Sequence, residues 1–267
     1  MIQLVVDSTA AVPKDFLEQH ANVHVIPLFI SVKGEYVPEN EATIEQVIEY
    51  SESTKKAVPT SQPSTGDFLK LFESLPKEDP IIVICITSGV SGTYNGAVLA
   101  ARQSGRKQIA VINSRTTAVG MMEVLEDGLD MIEKGLSFEE ISKGLQESAS
   151  LMRTTFTVPT LDYLRRGGRV GKAAGLIGSI LKIKPVIFLN DNNEVDVLAK
   201  CAPKRRLPPP CSIISTRIHP AVASALSILK MKKVAGRCRK GFRKNIRISR
   251  SLFLPVHLSW HLIWDRD

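Results

Sequence analysis

Four apolar runs recur through the first half of this chain, at residues 4–6, 23–30, 81–86 and 109–112, with helical patterns between them. A strand that is apolar at nearly every position needs cover on both faces. Alternation with amphipathic helices supplies it, so the pattern predicts a parallel sheet with helices on either side. The expected helices cover residues 13–20, 44–50, 67–75, 93–103, 119–133 and 138–145. Pro13 stands where the first begins, at the N1 position proline favours. Thr43 with Gln46, and Ser137 with Glu140, have capping-box spacing. The stretch 54–65 reads as a polar loop, and 32–37 as an extended piece turning at Gly34.

The pattern changes after about residue 150. A strand is expected at 153–158, an apolar helix at 176–181, and two strands at 185–189 and 195–198 around the turn Asn190-Asp191-Asn192-Asn193. The fold class expected is therefore α/β, an N-terminal parallel-sheet domain (1–155) followed by an α+β domain (156–267). Parallel sheets of this kind bind ligands beyond the carboxyl ends of their strands. Three polar turns leave such ends: Asp7-Ser8-Thr9, Ser88 to Thr93, and Asn113-Ser114-Arg115.

No segment reaches the ~18 apolar residues of a membrane span. The N-terminus lacks the basic region of a signal peptide and reads as a first strand, so a cytoplasmic protein without stable membrane insertion is expected. The cysteines Cys85, Cys201, Cys211 and Cys238 have no metal-site spacing, and Cys85 lies in a strand expected to be buried. No metal or other cofactor is expected.

The net charge of +8 is unevenly spread. Residues 1–200 hold 20 Lys/Arg and 25 Asp/Glu, whereas residues 201–267 hold 15 and 2. Both tryptophans, three of the four cysteines and Pro208-Pro209-Pro210 lie in that last quarter. A basic tail can bind nucleic acid or an acidic membrane. A departure from the ancestral reading frame near Cys201 explains the composition as well. The codons GTG CGC ACC AAA encode Val-Arg-Thr-Lys; without the first base the run reads TGC GCA CCA AA and, with a purine following, encodes Cys-Ala-Pro-Lys, as found after Lys200. Residues 221–230 have a helical pattern and could be back in frame.

The chemistry-bearing stretch is Cys85 to Gly96, a strand, a tight turn and a helix start. Backbone N–H groups and the helix dipole favour an anion there, and Ser88, Ser91 and Thr93 add hydroxyls. The stretch lacks a P-loop lysine and a dinucleotide glycine pattern. Thr60-Ser61-Gln62-Pro63-Ser64 is a second candidate, although on local chemistry alone it reads first as a cap and turn ahead of the helix at Asp67. Arg165-Arg166-Gly167-Gly168-Arg169 is a third: its glycines permit close backbone approach, and its arginines can meet an anion. No Gly-x-Ser-x-Gly elbow accompanies the five histidines, so no serine hydrolase is indicated and no catalytic residue is assigned.

In this order, Val6-Asp7-Ser8-Thr9, Thr60-Ser61-Gln62-Pro63-Ser64, Thr87-Ser88-Gly89-Val90-Ser91-Gly92-Thr93-Tyr94, Asn113-Ser114-Arg115 and Leu164-Arg165-Arg166-Gly167-Gly168-Arg169 resemble the DegV proteins. The resemblance covers residues 1 to about 200. It implies two domains with a long-chain fatty acid (C14–C18) buried between them. It further implies a substrate carrier and not an enzyme, similar to the acyl-carrying subunit of bacterial fatty acid kinase. There a separate ATP-dependent kinase subunit phosphorylates the carboxylate, and the acyl phosphate enters phospholipid synthesis. Carried over, Thr60 or Ser61 and Ser91 would hydrogen-bond the carboxylate, with the Gly92 and Thr93 amides nearby. Ser114 completes the expected ligand-binding set, and Arg169 would face the kinase partner or the developing phosphate. The family pattern also expects Val-Arg-Thr after Lys200 and a His-Thr/Ser-Gly-like motif near the C-terminus; neither is present. Two other readings stay open: an enzyme using the Ser/Thr cluster for acyl or phosphoryl transfer, and a nucleic-acid or membrane binder acting through the basic tail. The carrier reading expects no nucleic acid.

Overall fold

In the computed structural model, residues 1–32, 34–158, 160–176, 184–201 and 213–217 are described. The first domain begins with β1 (Gln3–Asp7), α1 (Lys14–Gln19), β2 (Val23–Ile26), β3 (Phe29–Val32) and β4 (Glu35–Pro38). It continues through α2 (Ile44–Thr54), β5 (Thr60–Ser61), α3 (Thr65–Ser74), β6 (Ile81–Cys85), α4 (Thr93–Gln103), β7 (Ile109–Asn113), α5 (Val119–Glu133) and α6 (Phe138–Leu151). The second contains β8 (Met152–Thr157), α7 (Asp162–Arg166), β9 (Lys184–Leu189), β10 (Val195–Cys201) and β11 (Ile213–Arg217).

The first sheet has the order β2-β1-β6-β7, and every pairing is parallel. Its strands feed two cores by simple alternation. Leu4, Val6, Ile82 and Ile84 pack against Val124 and Leu125 of α5 and Ile141 and Leu145 of α6. Val5, Ile81, Val83 and Cys85 face the other way, against Phe68 and Phe72 of α3 and Ala97 and Ala100 of α4. Both faces are thus dry, which is why β1 is apolar from Leu4 to Val6, between Gln3 and Asp7, and β6 carries no charged or amide side chain.

Two expected elements divide differently. The single strand predicted over 23–30 is β2 in the parallel sheet and β3 in a separate antiparallel sheet, order β4-β3-β5. Pro27 lies in the break, and proline cannot donate to a ladder. Pro13 occupies the N-cap of α1 rather than its first helical position, with ψ 148°. The polar loop over 54–65 holds the short strand β5, which pairs Thr60 with Ile30 and Ser61 with Phe29. The helix expected from 67 begins at Thr65, because Ser64 and Asp67 form a reciprocal capping box. The boxes at Thr43/Gln46 and Ser137/Glu140 are also formed. The Ser137 amide holds the Glu140 carboxyl below the usual range.

The second sheet is antiparallel, in the order β10-β9-β8-β11. β8 starts at Met152 and straddles the expected boundary at 155/156. The apolar helix expected over 176–181 falls at 177–181 outside the described residues, as do 202–212 and 218–267. Residues 213–217 run antiparallel to β8, pairing Ile213 with Phe156 and Arg217 with Met152.

The turn between β9 and β10 docks on the first domain. Arg115 donates to the Asp191 carbonyl at 2.7 Å, while Arg153 of β8, in the same sheet as the turn, pairs with the Asp191 carboxylate at 3.6 Å. Gly89 lies so close to Asn193 that an added Cβ would overlap the Asn193 carbonyl. Val90, next in sequence, packs against the cores of both domains.

Candidate functional site

The three polar turns at the ends of β1, β6 and β7 are tied to one another. Asp7 accepts the Ile86 amide at 2.6 Å, the Thr9 amide at 3.0 Å and the Thr9 hydroxyl at 2.5 Å. Asn113 donates through Nδ2 to Ser88 Oγ at 2.7 Å and accepts the Ser88 amide at 3.2 Å. Ser8 Oγ accepts the Leu28 amide at 2.9 Å, which anchors the chain between β2 and β3. Asp7 is fully buried, and that burial pushes its carboxyl up to about 6 against the lowering effect of its three donors. Cys85, next to Ile86, is raised well above the ordinary thiol range by burial and then by the Asp7 charge. It is a fully buried free thiol.

Behind these turns lies a cavity with three walls. The strand ends of the first sheet contribute Thr9, Ile86, Val90 and Ser91. The small sheet and α2 contribute Leu28, Ile30, Val47, Val58 and Thr60. The second domain contributes Tyr163, Leu164, Gly167 and Arg169. The surface is mostly aliphatic, with hydroxyl-bearing residues, Glu39 and Arg169 set into it.

Ser91 and Thr93 form a pair, Oγ to Oγ1, at 2.9 Å, and Ser91 Oγ accepts the Thr93 amide at 3.3 Å. Gly92, between them, is the N-cap of α4 and has no side chain to cap the helix with. The glycine is needed for space: a Cβ there would overlap Gln62 Oε1, and one at Gly96 would lie 3.0 Å from Gln62 Nε2. Gln62 therefore rests against the start of α4 and brings the Thr60–Ser61 strand towards Ser91. Ser61 donates to the Gln62 carbonyl at 3.1 Å and is not in the cavity wall. Ser64, the other hydroxyl of that loop, is occupied by its capping box.

Arg169 reaches across from the second domain. Its Nε donates to the Val90 carbonyl at 3.2 Å and its guanidinium to the Gly167 carbonyl at 2.6 Å. Gly168 has φ 73°, the left-handed conformation that lets the chain turn back after α7. Arg166 instead lies over the Tyr163 ring at 5.7 Å. Ser114 is completely buried, with its hydroxyl on the Thr116 carbonyl at 3.1 Å. It shapes the turn after β7 and is not in the cavity wall.

Of the residues expected from sequence to touch a ligand, Thr60, Ser91 and Arg169 are brought to one cavity, with Gly92 and Thr93 beside Ser91. Sequence reasoning missed Thr9 and Ile86, although Asp7-Ser8-Thr9 was visible as a polar strand end. It also missed Ser51 and Glu39 on the α2 side, which carry no motif. His20 Nδ1 donates to the Phe16 carbonyl and His24 Nε2 to Gln3 Oε1, both away from the cavity. Burial lowers the His24 pKa. Among the described residues no His/Cys/Asp/Glu group could hold a metal.

A mostly apolar cavity between a parallel and an antiparallel sheet, with hydroxyls at a helix start, is a site of the kind that suits a ligand with an apolar body and a polar end. The DegV family model, described as that of an uncharacterised protein family, matches residues 1–207, and the chain belongs to this family. A DegV domain-containing protein of Staphylococcus aureus is 36% identical over 190 residues, 70% of this chain and 67% of that protein. The structure is similar to a fatty-acid-binding DegV family protein from Thermus thermophilus, at TM-score 0.69 and 28% identity, covering 75% of this chain and 71% of that one. It is also similar to a stearic-acid-binding protein from Eubacterium ventriosum, at TM-score 0.67 and 30% identity, covering 76% and 72%. Solved DegV structures thus bind fatty acids. Among the described residues, no helix is long and apolar enough to cross a membrane.

Proposed function

We propose that this chain binds a long-chain fatty acid in the cavity between its domains. The observation that carries the reading is the aliphatic cavity with Thr60 and Ser91 in its walls beside the start of α4. Each buried methylene contributes roughly 0.8 kcal/mol, so a C16 tail drives binding with few polar contacts. A carboxylate leaving water needs compensation. Thr60 and Ser91 supply hydroxyls, the Gly92 and Thr93 amides the positive end of a helix, and Ser61 and Ser114 support the site through the strand and turn that hold it.

The chain acts as a carrier. It presents the carboxylate to a separate ATP-binding kinase subunit, with Arg169 facing that partner or the developing phosphate. Neutral donors favour this role, because a carboxylate held by hydroxyls stays nucleophilic while a tight lysine pair would blunt it. The setting is the cytoplasm, and the product feeds phospholipid synthesis.

Native mass spectrometry of freshly purified protein, followed by lipid extraction, tests the binding. A C14–C18 acid at near one per chain is expected. A chain of correct mass that is empty and takes up no added palmitate overturns it. Acyl phosphate formed from ATP only when a kinase subunit is added tests the carrier role; turnover by this chain alone would replace it with the enzyme reading.

The division into an α/β domain to about 155 and an α+β domain beyond it, with a change of reading frame near Cys201, belongs to the same proposal. The family match ends at residue 207, close to the change of composition, which supports it. Resequencing the gene around codon 201 decides the frame; an intact in-frame product of this composition removes the idea.

A further inference from the structure

Two walls of the cavity stand on the cores of the two main sheets; the third stands on a core of its own. The strands β3, β4 and β5 pair only with one another. With α2 they enclose Ile30, Ala42 and Val47, and Val37 and Val58 pack against these three. None of the five belongs to the cores on either face of the parallel sheet, or to that of the second domain. Ile30, Val47 and Val58 also line the cavity, so the inner face of this unit is itself the wall.

So small a core holds little alone. β3 and β4 have four residues each and β5 has two, and short strands need an apolar partner to be stable. An isolated helix shorter than ~12–15 residues is marginal in water, and α2 has 11. Its outer face adds no support. Glu45, Glu49 and Glu52 are exposed there, and residues 34–54 contain six glutamates and no Lys or Arg. Like charges four residues apart, as at Glu45 and Glu49, destabilise a helix. The last turn of α2 carries no basic residue to offset the negative end of the dipole.

The unit is tethered at its two ends. The Leu28 amide donates to Ser8 Oγ at 2.9 Å, and Gln62 rests against Gly92 and Gly96 of α4. Between the tethers, Thr60 pairs directly with Ile30 across β5 and β3. The hydroxyl offered to a carboxylate and the aliphatic wall offered to a tail therefore belong to one piece.

We infer that β3, β4, α2 and β5 form a lid over the cavity, and that the acyl chain completes its packing. With the cavity filled, the inner sides of Ile30, Val47 and Val58 are covered and Thr60 is held towards Ser91. With the cavity empty, the lid opens about its two tethers and admits the ligand. Segments with few buried apolar contacts open at low cost, and a ligand that binds the closed form stabilises it. This rests on the fatty-acid reading and adds the route by which the acid enters.

Hydrogen exchange of the full chain, stripped of lipid and then loaded with palmitate, reads the lid directly. The amides of β3, β4 and α2 are expected to exchange about tenfold or more faster in the empty chain, and those of α5 and α6 at nearly the same rate in both. Equal exchange across the lid in the two states, with palmitate bound, overturns the inference and leaves the carrier reading standing. So does protection that falls mainly on β8 and α7, because the second domain is then the moving wall. Failure of the chain to bind palmitate overturns both readings. Glu49→Lys gives a second measurement, on the exposed face of α2 and outside the cavity wall. It turns the Glu45–Glu49 repulsion into an attractive pair and should slow palmitate release about two- to fivefold. Release at the wild-type rate overturns the lid as the route of entry.

Discussion

The Asp7 carboxylate accepts the Ile86 amide at 2.6 Å, joining the ends of adjacent parallel strands immediately beneath the cavity. Both Thr9, which also bonds Asp7, and Ile86 are residues of the same cavity wall, so one buried carboxyl holds two strand ends of that wall together.

That charge makes stability fall with rising pH. Burial raises the Asp7 carboxyl from 3.8 to about 6 in the folded chain. Between those values the native state holds a proton that the unfolded state has released, so stability declines as pH rises, by about 3 kcal/mol in all. Asp7→Asn removes this dependence. It costs about 1–3 kcal/mol at pH 4, because an amide NH₂ or a lone oxygen cannot accept from both sides. The deficit relative to wild type should shrink between pH 4 and 7. Urea denaturation at intervals across that range checks it; a constant deficit would mean that Asp7 titrates normally.

Ser91→Ala is expected to weaken fatty acid binding by about 1–2 kcal/mol, roughly five- to thirtyfold in Kd. The serine hydroxyl both faces the cavity and orders the Thr93 amide. Displacement of a fluorescent acid measures it, and an unchanged Kd removes Ser91 from the site.

Gly89→Ala should disturb the junction between domains. The new methyl group meets backbone atoms of Asn193, which cannot rotate away as a side-chain tip can. A cost of about 1–3 kcal/mol follows from overpacking. Limited proteolysis should then cut faster in the turn from Asn190 to Asn193. A cleavage rate equal to that of wild type would show that the turn does not dock there.

Ser64→Ala removes the cap of α3 and should lower stability by about 0.5–2 kcal/mol. Its effect on acid affinity should be much smaller than that of Ser91→Ala, because Ser64 is committed to Asp67. Thermal unfolding and the displacement assay separate the two effects. A binding loss as large as that of Ser91→Ala would place Ser64 on the ligand.

The sequence by itself determined the parallel sheet, because strands apolar at every position require two covered faces, and β1 and β6 have them. It determined α4 and α5 from end to end, and the capping boxes, since these are set by neighbours within four residues. It also marked Thr60, Ser91 and Arg169 through the order of their motifs. Tertiary structure alone decided which hydroxyls face the cavity. Ser61, Ser64 and Ser114 have the same chemistry as Ser91, yet each is bonded to nearby chain and none of them lines the wall. The break at Pro27, which sends β3 to a second sheet, and the separate core under α2 were hidden for the same reason. Both depend on what packs opposite, and contacts between residues distant in sequence leave no local period to read.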